Sequence, residues 1–197
     1  MSEYEKSNRN DDAQSIIKNH MIWSMGAGFI PVPIADLFAV GAIQLDMIRQ
    51  LCKLYGIDFK QTEGKAIISA LTGSGLARLG ARAVKFIPGI GSVLGGVTMA
   101  VLSGASTYAL GEVFKKHFET GGTFLDFDTE RLKKYYNEKF EKGKEVAEEL
   151  RKQQKEASGN ADFSNAVDKL KELVDMKSAG LLSDEEFEAM KKKIIHG

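Results

Sequence analysis

Few residues in this chain are of a type and spacing that could do chemistry. His20, His117 and His196 could bind a metal or move protons. They are far apart, however, and lack nearby cysteines or paired acids at ligand spacing, so the sequence suggests no metal site. Cys52, the single cysteine, falls on an apolar helical face, which points to a packed thiol rather than a nucleophile. With one cysteine no intrachain disulfide forms, and oxidising export is not indicated. Asp36 follows "IPVPI" in an apolar setting. It could line a binding groove; the simpler reading is a cap or a partner for Arg78 or Arg82, since a buried carboxylate needs one. "GIGSVLGG" at 89–96 is glycine-rich, but no strand precedes it and no G-x-x-x-x-G-K-[ST] occurs in the chain. It reads as close helix packing, not a phosphate loop. Ser92 lacks a nucleophile-elbow context. No cofactor and no reaction follow, and the expectation is a protein that is not an enzyme.

Another kind of chemistry is written in residues 86–111. These 26 residues carry no charged side chain, and glycines stand at 89, 91, 95, 96, 104 and 111. The length suffices to cross a bilayer as a helix. Gly91 and Gly95 are four apart and small residues continue at Ala100 and Gly104, a spacing that brings helices close in lipid. Phe86, Ile87, Ile90, Val93, Leu94, Val97, Met99, Val101 and Leu102 are the candidates for insertion. Residues 21–35 form a second uncharged block, broken by Pro31 and Pro33. A plain two-span hairpin is disfavoured. The segment between the blocks, Asp46 to Lys85, holds seven bases against three acids, and loops that basic stay on the cytoplasmic side. A bent insertion, or a helical hairpin buried in the protein's own core, meets the same constraints. Arg78, Arg82 and Lys85 share one helical face, which could hold anionic lipid headgroups or be an ordinary solvated face.

The elements that must position these residues all read as helices, since no period-two alternation is sustained. Asp11 or Asp12 is expected to cap a first helix, ending near Gly26 or Gly28. Ile34, Phe38, Gly41, Leu45, Ile48, Cys52 and Tyr55 make one stripe of a second, with Asp46, Arg49, Gln50 and Lys53 off it and Gly56 as its stop. Asp58 is expected to cap a third helix toward Thr72, with Gly73 and Gly75 separating it from a short basic helix. Tyr108 is expected to pack on a neighbouring helix. Asp126 or Asp128 caps a long polar helix over 121–157, read as a charged spacer, and "ASGNAD" at 157–162 reads as a linker.

Residues 163–197 read as a helical hairpin. Phe163, Val167, Leu170 and Val174 lie on one helix, Phe187, Met190 and Ile194 on the other, with Gly180 between. Ser183 and Glu186 form a capping box. So short a hairpin cannot bury a core of its own and must lean on another copy, the main domain or a partner.

The whole has 197 residues with acids and bases balanced at 27 each, which argues against a general nucleic-acid binder. The balance hides a division: residues 1–111 hold 18 of the charges and 112–197 hold 36. The first 20 residues lack the basic start and apolar core of a signal peptide. The expected location is the cytoplasm or the cytoplasmic side of a membrane.

"IPVPIADLFAVGAIQLDMIRQLCKLYG" followed by "KFIPGIGSVLGGVTMAVLSGASTYALGEVF" resembles the YcjF-like, GTPase-associated family of unknown function, over about Ile16 to Phe118. "DKLKELVDMKSAGLLSDEEFEAMKKKII" resembles the short C-terminal domain called SHOCT, over about 163–195. The resemblance implies a helical, membrane-linked protein associated with a GTPase, which here would be a separate chain. It supplies no catalytic residue. The combined expectation is an all-α chain: a glycine-rich apolar domain over 1–120, a charged helix over 121–157, a linker over 158–162 and the hairpin over 163–197. Its expected work is that of a membrane-associated adaptor, with lipids, a protein partner or a second copy as ligands. A membrane-inserting effector and a soluble helical interaction module are the alternatives.

Overall fold

The computed structural model describes residues 3–27, 33–83, 91–157 and 162–196, with side chains described for 4–26, 39–73, 99–153 and 169–194. Among these residues there are seven helices and no strand: α1 (Glu3–Ala27), α2 (Pro33–Tyr55), α3 (Gln61–Ala83), α4 (Gly91–Glu119), α5 (Thr129–Ala157), α6 (Asp162–Ser178) and α7 (Asp184–His196). The expected all-α class is what the chain adopts.

Local sequence sets several ends. Gly56 and Gly180 take the left-handed backbone that closes a helix, with φ of 69° each, and stop α2 and α6. Asp128 accepts a hydrogen bond from the Arg131 amide at 3.0 Å and so caps α5. Ser183 and Glu186 exchange both bonds of the capping box, at 3.2 and 2.7 Å. Two ends differ from expectation. α1 begins at Glu3, well before Asp11, and α3 runs unbroken through Gly73 and Gly75. A glycine costs a helix only about 1 kcal/mol, so two of them do not force a break.

The core forms around α2 and α4. α2 was expected to bury one stripe; instead residues 42–48 are buried all round, Asp46 included. α1, α3 and α4 pack against it, and Leu173, Met176, Leu181 and Leu182 of the α6–α7 hairpin join the same buried cluster. α4 is gripped between α1 and α5. A methyl at Gly104 would meet Met25 Cγ at 2.6 Å, and one at Gly111 would meet Ile17 Cγ1 at 2.6 Å. A methyl at Gly143 would lie 2.9 Å from the Ala105 Cα and carbonyl oxygen. The small residues in the second half of the apolar stretch therefore serve close packing of α4 within the protein. α5 is a structural member of this bundle and not a detached spacer, because Tyr136, Ala147 and Leu150 are buried along it.

Helix directions follow from these pairs. Ile17 faces Gly111 and Met25 faces Gly104, so α1 and α4 are antiparallel. Gln44 reaches Ser106 and Thr107, and Tyr55 donates to Glu119 at 3.3 Å, so α2 runs with α4. The end of α1 and the starts of α2 and α4 thus share one end of the bundle. The opposite end holds the α4–α5 turn, where Phe114, Phe118, Phe124 and Phe127 cluster around His117 with ring centroids 4.6 to 6.1 Å apart.

Candidate functional site

The densest group of ionisable side chains lies where α1, α2 and the hairpin meet. His20 projects from α1, Asp46 from α2 and Glu172 from α6. His20 is 2% exposed and Asp46 fully buried, while the Glu172 side chain keeps 26% of its surface. His20 Nδ1 lies 2.8 Å from the Ile16 carbonyl, an acceptor only, so Nδ1 carries the hydrogen. Nε2 is then the working nitrogen. It lies 3.0 Å from Asp46 Oδ2 and 3.3 Å from Glu172 Oε1.

Asp46 is fixed from both sides. Arg49 donates to Oδ1 through Nε at 2.9 Å and Nη2 at 2.6 Å, and Gln50 Nε2 donates to Oδ2 at 2.8 Å. Burial works against its charge, but the bonds and charges of His20 and Arg49 prevail and hold its carboxyl below the usual range. Burial pushes Glu172 the other way, upward; His20 opposes that rise and the neighbouring Asp46 charge adds to it. One imidazole nitrogen and two carboxylate oxygens thus converge within 4.8 Å of one another.

Two further polar seams run between the helices. Ser24 and Thr107 share a hydrogen bond at 2.7 Å, Gln44 donates to Thr107 and Ser106 at 3.2 Å each, and Ser106 meets the Tyr136 hydroxyl at 2.9 Å. Burial raises the Tyr136 hydroxyl to about 12. Glu112 accepts from Gln14 at 2.7 Å and pairs with Lys139 at 3.1 Å. Each member has a partner, so these seams fix helix register rather than await a ligand. Cys52 is buried and its thiol is pushed up to about 12 by that burial, which disfavours the nucleophilic thiolate.

The residues singled out from sequence are distributed as follows. Lys85, Phe86, Ile87 and Ile90 lie outside the described residues, as do the side chains of Asp36, Arg78, Arg82, Val93, Leu94, Val97, Phe163 and Val167. Met99 is 37% exposed, Val101 is buried and Leu102 half-buried. From Ala100 to Gly111 the stretch is packed against the chain's own helices. Among the described residues no helix is long and apolar enough to cross a membrane. In the hairpin, Met190 is buried, Leu170, Phe187 and Ile194 are half-buried, and Val174 is 51% exposed. On α6 the buried side chains among the described residues are Leu173 and Met176, which join the core cluster. Tyr108 is half-buried beside Gly143.

Sequence reasoning missed the His20–Asp46–Glu172 group. It set aside His20 for want of nearby ligands and placed Asp46 off the apolar stripe. No local signal joins three residues on three helices. The one available cue was that a hairpin obliged to lean on something brings its own acids to the contact.

The chain matches the family model described as "Domain of unknown function (DUF697)" over residues 2–145 and the one described as "Short C-terminal domain" over residues 168–195. A relative, magnetosome membrane protein 22 of Magnetospirillum gryphiswaldense, is 39% identical over 159 residues, covering 78% of this chain and 81% of the relative. No solved structure matches.

Proposed function

We propose, for a chain that belongs to the domain-of-unknown-function family DUF697, a non-enzymatic role as a helical adaptor at the cytoplasmic surface of a membrane. The observation that carries this reading is the shared end of the bundle. α1 ends there and α2 and α4 begin there, so the uncharged blocks 21–35 and 86–111 approach it from separate parts of the chain. Cations accompany it: α3, with Arg78 and Arg82, leads toward the 86–111 block, and Lys193 of α7 donates to the Gly26 carbonyl at the end of α1. Uncharged apolar sequence accompanied by bases suits an anionic leaflet. The relative's name, a membrane protein, supports the same location.

In this reading the part of the stretch beyond Ala100 anchors α4 in the bundle, and the part before it makes the lipid contact. Contact from one side needs no spanning helix. The hairpin offers its outer face, Leu170 and Val174, to a second copy or a partner, and the resemblance stated above makes a separate GTPase the first partner to test.

Flotation with anionic vesicles tests the proposal. The protein is expected to float, and changing Arg78, Arg82 and Lys85 together to Glu is expected to abolish flotation while leaving the fold intact by circular dichroism. A wild-type protein that stays at the bottom overturns the membrane role. Release of entrapped dye from the same vesicles would instead favour a membrane-inserting effector.

A further inference from the structure

The geometry points to His20, Asp46 and Glu172 as a binding site for a divalent first-row transition cation that fastens the hairpin to the main domain. Two ligand atoms held by one ion at bond lengths near 2.1 Å stand about 3.0–3.4 Å apart for octahedral or tetrahedral angles. Nε2 already stands 3.0 and 3.3 Å from its two carboxylate oxygens. Nδ1 bonds to the Ile16 carbonyl, as metal-bound histidines bond through their other nitrogen, which orients the ring and directs Nε2 into the group. Arg49 and Gln50 hold Asp46 in place in the same way. Glu172, the partly exposed member, gives an entry side.

A mixed nitrogen and oxygen set suits ions from manganese to zinc. Magnesium and calcium take oxygen sets and are expected to bind far more weakly. His20 and Asp46 belong to the DUF697 region and Glu172 to the hairpin, so a bound ion would join two parts that also share one buried apolar cluster. This inference stands apart from the membrane role and needs no lipid for its test.

The test is calorimetric titration of Zn²⁺ into chelator-treated full-length protein, with Mg²⁺ in parallel. One-to-one binding of Zn²⁺ is expected, with no matching heat from Mg²⁺. Glu172→Gln keeps the side chain's size and is expected to weaken binding about tenfold or more. His20→Gln should do the same, and His196→Gln should change nothing. Zn²⁺ should also raise the thermal midpoint and slow amide exchange across residues 170–190 in the wild type but not in Glu172→Gln. If His20→Gln fails to fold, the partly exposed Glu172 site still decides the matter. Absence of saturable Zn²⁺ binding below millimolar concentration overturns the proposal, as does binding undiminished by Glu172→Gln. The group would then be an ion-paired joint and nothing more.

Discussion

At the scale of single residues, contact distance decides what a small side chain is for. Gly143 lies against backbone atoms of Ala105, which cannot rotate away. Gly143→Ala is therefore expected to destabilise the protein by about 1–3 kcal/mol through overpacking. Gly41, in the middle of α2, has open space where a methyl would go, and Gly41→Ala is expected to stabilise by up to about 1 kcal/mol. Urea unfolding of both variants checks the pair, and equal effects would mean that the α4–α5 contact is looser than described. The buried Cys52 thiol gives a second prediction. With its titration pushed up to about 12, it should resist a thiol reagent at pH 8 in the folded protein and react on unfolding. That inertness was legible from Cys52's place on an apolar face. The role of Asp46 was not, because its charge is balanced by groups brought in from α1 and from its own next turn.

Helices were the more legible scale where a local rule sets their ends. Gly56, Gly180, Asp128 and the Ser183–Glu186 box act within a few residues of themselves, and each ends or begins the helix expected of it. Ser183→Ala should cost about 1 kcal/mol by loss of the cap. Gly180→Ala should cost about 1–2 kcal/mol, because its φ of 69° is strained for any residue with a Cβ. Thermal unfolding of the full chain measures both, and variants as stable as the parent would mean that the hairpin is held by docking alone. Continuity was less legible. Gly73 and Gly75 looked like a break, yet α3 continues through them. On α6 the expected contacts included Leu170 and Val174, while the buried side chains among the described residues are Leu173 and Met176. The exposed Val174 makes a prediction of its own. If the outer face of α6 holds a second copy, Val174→Glu lowers the mass measured by light scattering without changing the thermal midpoint.

At the scale of the molecule, the unequal division of charge becomes a division of roles. The polar α5 closes the bundle through a narrow apolar edge and turns its Glu side chains to water, while Lys139 pairs with the buried Glu112. Leu173, Met176, Leu181 and Leu182 of the hairpin join the same buried cluster as the apolar residues of α2. What the sequence could not resolve was whether residues 86–111 act as one unit. The part from Ala100 onward belongs to the core and Met99 is exposed; the part before it is the one proposed to meet lipid. The end of the bundle opposite the finish of α1 holds the aromatic turn at 120–128, with Leu125 at 96% exposure. With the Cys52 thiol buried, Met99→Cys and Leu125→Cys, at exposed positions, can each carry a single spin label. The most direct measurement is the relative accessibility of each label to oxygen and to an aqueous nickel complex on anionic vesicles. The account predicts that the label at 99 gains oxygen and loses nickel contact on binding, while the label at 125 stays in water. A label at 99 that remains as accessible to nickel as the one at 125, with vesicles in excess, would contradict it.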